Sequence, residues 1–225
     1  ILIIIYLDQA WKPIEFEQIT ITGISGLSRE DIEKAAAKYF PRYLIDSNPK
    51  EIEELLLRKL PIKAVSINRR FFPPSINLNI LEREPIAFAS RALANKKEKG
   101  MIDIEGYWIP LKLVKESKKN KINISIEGWQ PDKTKEIALI IKNRFSLQSQ
   151  LQKIIFNPYE GISIKTDQFN SVLLGSNTDQ LIEQIHKLNV LQESLPNLLI
   201  NTKVNTVDLR DPSKPELKTE KKLEE

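Results

Sequence analysis

Residues 60–87 read LPIKAVSINRRFFPPSINLNILEREPIA. Two runs inside this stretch alternate strictly: Val65 and Ile67 against Ser66 and Asn68, then Ile76, Leu78 and Ile80 against Asn77 and Asn79. Successive side chains on a strand point to opposite faces, so the pattern predicts two strands of a sheet with one buried and one wet face. Phe72-Pro73-Pro74 supplies the turn between them, Pro61 precedes the first strand, and Pro85 marks the exit.

Upstream, Asn48 is positioned as a helix cap, with Pro49 in the first turn and Glu51 at the third position. Ile52, Leu55, Leu56 and Leu60 form the apolar face of that helix, and Pro61 stops it. An earlier helix opens at Ser28, which precedes Asp31 by three residues as a capping-box variant; Ile32, Ala35, Ala36 and Tyr39 then recur at helical spacing. Residues 16–22 alternate as a strand that stops at Gly23. The order strand, helix, helix, strand, strand over 14–85 spans about 70 residues, the size of one small domain.

Downstream the chain is richer in strands, expected at 86–93, 101–104, 122–126, 153–156, 161–165, 171–174 and 204–210. Two helices interrupt them. One starts near Pro131 and buries Ile137, Ile140 and Ile141; the other starts near Asp179 and buries Leu181, Ile182, Ile185 and Leu188. Residues 211–225 are rich in Lys, Glu and Pro and read as a flexible polar tail with too little apolar surface to fold alone. The fold class is therefore α+β, an N-terminal βααββ domain followed by a strand-rich β domain with flanking helices over 86–210.

Composition narrows function mainly by exclusion. Lys and Arg number 34 against 30 Asp and Glu, a net charge of +4, too mild to point to nucleic acid. The absence of cysteine excludes disulfides and thiolate metal sites. The single histidine, His186, excludes multi-histidine metal centres, and its helical position lies off the apolar stripe. None of the seven glycines builds a nucleotide-binding loop. Ser47 and Lys50 match a serine-x-x-lysine pattern, but Asn48 and Pro49 start the helix and leave Ser47 outside it. Asp103 and Glu105 share a strand face, yet with Gly106 they read as the shape of a hairpin rather than a cation site. Five lysines in 112–121 and Lys96, Lys97 and Lys99 read as solvated loops, with attraction to anionic headgroups as a second reading. No enzyme, cofactor or metal is expected. Residues 1–6, ILIIIY, are too short to span a bilayer alone. Followed by Trp11 and Lys12, they read as the trailing end of a transmembrane helix, with linker to residue 13.

ITITG at 19–23, LSREDI at 27–32, LPIKAV at 60–65, and RRFFPPSINLNI at 69–80 running into EREPIA at 82–87 resemble a POTRA domain. MIDIEG at 101–106 resembles the hairpin that follows that domain in the FtsQ/DivIB family, and VDLR at 207–210 resembles that family's last strand. The resemblance implies a non-catalytic, single-pass protein of the cytoplasmic (inner) membrane, with both domains on the extracytoplasmic side at the division septum. Its implied partners are FtsB- and FtsL-type (DivIC-like) division proteins, and its implied role is to help bring septal peptidoglycan synthesis to that site. The family's partner surface is the C-terminal edge of the β domain, where an added strand extends the sheet. Carried onto this chain, that edge is Val204, Thr206, Val207, Asp208, Leu209 and Arg210. Arg210 has two readings, an ion pair to an acidic partner residue or closure of the strand end. Pro212 and Pro215 argue against a long edge past Asp211, so pairing with 204–210 is expected over a strand resumed near Leu217. The alternative function is a POTRA-containing component of protein transport or a chaperone.

Overall fold

A computed structural model describes residues 13–71, 74–93, 96–144, 147, 149–198 and 202–221. The membrane-helix reading of residues 1–6 lies outside them. The chain divides into two compact units: one runs to Arg83 and takes in Lys112–Lys115, and the other comprises Glu84–Leu111 and the chain from Glu116.

In the first unit, helices α1 (Arg29–Ala36) and α2 (Pro49–Lys59) cover a three-stranded sheet of β1 (Thr20–Thr22), β2 (Ile62–Phe71) and β3 (Pro74–Glu82). β3 is central, parallel to β1 and antiparallel to β2. The alternation in the sequence becomes the inner face: Val65, Ile76, Leu78 and Ile80 are buried with Ile32 and Ala36 of α1 and Ile52 and Leu56 of α2. Both helix starts form as their caps require. Ser28 Oγ accepts from the Asp31 backbone N–H at 3.1 Å and donates to the Asp31 carboxylate at 2.7 Å, which holds that carboxyl below its ordinary value. Asn48 accepts from the Lys50 N–H at 3.1 Å, while Ser47 lies before the helix with its hydroxyl donating to the Leu44 carbonyl at 2.7 Å.

One expected strand is shorter than its alternation suggested. Phe16–Gln18 is a 3-10 turn and only Thr20–Thr22 pairs. A tertiary anchor overrides the local pattern here, because Arg29 Nη2 donates to the carbonyls of Phe16 (2.7 Å) and Ile19 (2.9 Å) while its guanidinium lies 5.2 Å from the Phe16 ring centre. At the other end of the sheet the Glu82 carboxylate receives the backbone N–H groups of Ser25 (2.8 Å), Gly26 (2.7 Å) and Leu27 (2.8 Å), plus the Ser25 hydroxyl (2.9 Å). That cradle ties the end of β3 to the loop leading into α1.

The second unit holds one large mixed sheet, nine strands among the described residues. In chain order these are β4 (Ala87–Leu93), β5 (Lys96–Ile102), β6 (Trp108–Pro110), β7 (Ser125–Glu127), β8 (Leu151–Asn157), β9 (Gly161–Thr166), β10 (Ser171–Gly175), β11 (Thr202–Asp208) and β12 (Glu216–Lys221). Their spatial order is β12-β11-β10-β9-β8-β7-β4-β5-β6. Helices α3 (Thr134–Asn143) and α4 (Leu181–Leu198) bury Ile137, Ile140, Ile141, Leu181, Ile185 and Leu188 against it. Ile182, expected in that core, is 61% exposed, since the helical repeat already places Leu181, Ile185 and Leu188 inward. Lys96, Lys97 and Lys99, read as loop, lie in β5, where the exposed positions of a hairpin accept lysine. The Asp103 turn behaves as read: its carboxylate accepts the N–H groups of Glu105 and Tyr107, both at 2.9 Å. Gly106 takes φ +81°, and a Cβ there would stand 2.6 Å from the Thr134 carbonyl oxygen.

The expected tail is corrected. Asp211 folds the chain back: its carboxylate accepts the Ser213 N–H (2.9 Å) and hydroxyl (2.6 Å), and its carbonyl accepts the Lys214 N–H (3.1 Å). Both prolines fall in or beside this turn, and 216–221 return as β12, antiparallel to β11. The segment needs little burial of its own, because the β11 backbone satisfies it.

Candidate partner interface at the C-terminal sheet edge

The residues singled out as an edge strand, Val204, Thr206, Val207, Asp208, Leu209 and Arg210, do not form an edge. β11 lies between β10, with which it pairs in parallel, and β12. Val204 is 7% exposed, and Val207 and Leu209 are fully buried. Val204 and Val207 are three apart and would face opposite sides of a regular strand. A bulge at Asn205, where the register to β12 shifts between Val204 and Thr206, rephases the strand and turns both inward.

Asp208 is mostly buried, and Arg210 is largely exposed and bound to it: Nε lies 3.0 Å from both carboxylate oxygens and Nη2 2.5 Å from Oδ2. That hydrogen-bonded guanidinium holds the Asp208 carboxyl below its ordinary value. In this structure, then, Arg210 closes the strand end. Its stem also passes over Gly175, where a Cβ would lie 3.0 Å from Arg210 Cγ. Gln184 of α4 completes the clamp, its Nε2 donating to the carbonyls of Leu174 and Leu209, both at 2.9 Å.

The edge is β12. Among the described residues no strand lies beyond it, whereas the opposite edge, β6, is three residues long and ends in Pro110. Register places Leu217 opposite the buried Val207 and Thr219 opposite Val204, so these two continue the core face outward. Glu216 and Lys218 occupy the positions of the other face. Leu217 is 38% exposed, an apolar side chain at the rim of the core with one flank open. A backbone edge with free donors and acceptors and an adjacent apolar anchor can template an added strand. Sequence reasoning missed this segment. The available signals were the Asp-Pro-Ser-Lys turn at 211–214 and the short alternation of Leu217 and Thr219 with charged residues.

Residues 14–83 match the family model for the FtsQ-type POTRA domain. These residues form an FtsQ-type POTRA domain, which supports the resemblance to the FtsQ/DivIB family. An FtsQ-type POTRA domain supports a role in cell division, and the family named for it is one of scaffolds. No curated protein matches the chain. The matched residues coincide with the helix-covered three-stranded sheet of the first unit, and the β11–β12 edge belongs to the second. Among the described residues no helix is long and apolar enough to cross a membrane, and no group of three or more His, Cys, Asp or Glu gathers as a metal site. His186 is exposed on α4.

Proposed function

We propose that this chain is an FtsQ/DivIB-family, membrane-anchored division scaffold that receives a strand from FtsB- and FtsL-type (DivIC-like) partners on β12, outside the cytoplasmic membrane, and thereby helps couple division to septal peptidoglycan synthesis. The observation that carries the reading is the β12 edge, beyond which no strand lies among the described residues, with Leu217 at its rim, in a chain that carries an FtsQ-type POTRA domain. An added strand contributes roughly 1 kcal/mol per net backbone hydrogen bond, too little alone after the cost of association. Apolar contact at Leu217 supplies the remainder, and the exposed Glu216 and Lys218 help select the partner's register.

Leu217→Ala should keep the fold, since the side chain is already 38% exposed. It should weaken partner binding about tenfold, roughly 1.4 kcal/mol. The check is a calorimetric titration of the chain with the extracytoplasmic FtsB/FtsL-type pair. Wild-type affinity in a folded Leu217→Ala protein would remove β12 from the interface, and no binding by the wild-type chain would remove the partner assignment itself.

A further inference from the structure

An exposed apolar turn in the POTRA unit is held outward by its own hydrogen bonds. Leu44–Asp46 is a single 3-10 turn that buries Leu44 and points Ile45 out, 75% exposed. The Asp46 N–H donates to the Tyr43 carbonyl at 3.1 Å, and the Leu44 carbonyl accepts both the Ser47 hydroxyl (2.7 Å) and Arg69 Nη1 (3.3 Å). Arg69 Nη1 also donates to the Ser47 carbonyl, and its guanidinium carbon lies 5.9 Å from the Phe71 ring centre. One arginine thus joins the turn to the end of β2, and the exposed side chains of Tyr43, Ile45 and Phe71 share that end of the unit. A turn fixed in this way does not fold back to bury Ile45.

Charge and chain path say what meets this surface. Residues 42–47 and 69–71 carry Arg42, Arg69 and Arg70 against a single acid, Asp46. Ile14 and Arg42 exchange backbone hydrogen bonds of 2.9 and 3.3 Å, so the chain enters the unit beside Tyr43. Before that entry the sequence has ILIIIY at 1–6, then Trp11 and Lys12. Residues 7–13 reach at most about 25 Å at full extension, which keeps the turn close to any bilayer the apolar run enters. Aromatic and aliphatic tips beside arginines settle at the headgroup level, the arginines drawn by anionic lipid.

We propose that the end of the POTRA unit formed by Tyr43, Ile45 and Phe71 rests on an anionic phospholipid surface, with its apolar tips at the headgroup boundary and Arg42 and Arg70 against the phosphates. This contact presupposes the membrane-anchored reading and adds to it a second, reversible attachment that sets how the unit stands on the bilayer. It involves neither β12 nor the partner that β12 receives. A few apolar tips and arginines make a weak contact that salt loosens.

The chain has no cysteine, so a single introduced one can carry a probe. Ile45→Cys, labelled with an environment-sensitive fluorophore, is mixed with vesicles of phosphatidylglycerol and phosphatidylcholine in equal parts, and with phosphatidylcholine alone. Tyr159→Cys, exposed in the other unit, carries the same label as a control. Emission at position 45 should shift to the blue with the anionic vesicles and not with the neutral ones, while position 159 stays unchanged. Adding Phe71→Glu to the labelled protein should weaken the response about tenfold, and raised salt should diminish it. Far-UV circular dichroism checks the fold of that variant; if it loses structure, Arg70→Glu takes its place with the same expectation. Unshifted emission at position 45 in chains that co-sediment with anionic vesicles would overturn the proposal and leave the membrane-anchored reading standing. Chains that do not co-sediment at all would overturn it together with the membrane reading of residues 1–6. A folded variant that responds as the parent does, or a shift with the FtsB/FtsL-type pair and none with vesicles, would also overturn it, the latter by assigning the turn to a protein.

Discussion

Val207→Asp should unfold the β domain rather than release a partner from an intact one. Val207 has no exposed surface, sits opposite Val172 of β10 and Leu217 of β12, and lies in the core under α3 and α4. A carboxylate placed there has no cation within the cluster to pair with, and an unpaired buried charge is among the costliest single changes a core can receive. The expected loss is about 4 kcal/mol or more, a large share of the stability of a typical domain. Trp108 and Trp129 both belong to this unit, so tryptophan fluorescence and thermal melting report on it. The expected result is a red-shifted spectrum with no cooperative transition. A Val207→Asp protein that melts as wild type would mean that β11 is not held as described. The same argument applies to Leu209, which is also fully buried. Charged substitutions at either position therefore cannot probe binding, whereas Leu217→Ala can.

Glu82→Ala should have the second-largest effect, in the POTRA unit. The carboxylate accepts three backbone N–H groups and a hydroxyl from Ser25, Gly26 and Leu27. Hydrogen bonds to a charged group contribute about 1.5–3 kcal/mol, and solvent reaches part of this carboxylate, so a total near 2 kcal/mol is expected. For a unit of this size that lowers the melting temperature by roughly 10 °C.

Its pH dependence follows with a definite sign. Burial pushes the Glu82 carboxyl up, but the backbone N–H groups of Leu27, Ser25 and Gly26 and the Ser25 hydroxyl outweigh it, and the folded-state value lies below the ordinary 4.5. A depressed carboxyl contributes stability that is fully present above 4.5 and is lost as pH falls through the folded-state value. Denaturant titrations at pH 7 and at pH 3 should therefore show wild type losing more stability on acidification than Glu82→Gln. An identical loss in both proteins would remove Glu82 from the account.

What could be read in the sequence depended on whether a segment is held by its own side chains. The POTRA unit was legible because its strands alternate, as at Ile76, Leu78 and Ile80, and its helices carry side-chain caps at Ser28 and Asn48. The large sheet was legible where buried aliphatic runs cluster, as in β8 to β10. β12 was not, because Glu216–Lys221 is exposed on its described side chains and owes its place to the backbone of β11 and the Asp211 turn. Missing it shifted the candidate interface by one strand and made interior residues look like an edge. Gln184 escaped notice for a related reason, since a glutamine is expected on the surface and here it is fully buried as a donor to two strand ends. The bulge at Asn205, which turns Val204 and Val207 to one face, has no signature in a simple alternation of apolar residues.

Hydrogen exchange on the full chain, with and without saturating FtsB/FtsL-type partner, tests the central claim most directly. The account predicts new protection of the β12 amides, Glu216–Lys221, with β11 already protected in the free protein because it pairs on both sides. Unchanged exchange across β12 beside new protection elsewhere, for example along β2 of the POTRA sheet, would contradict it.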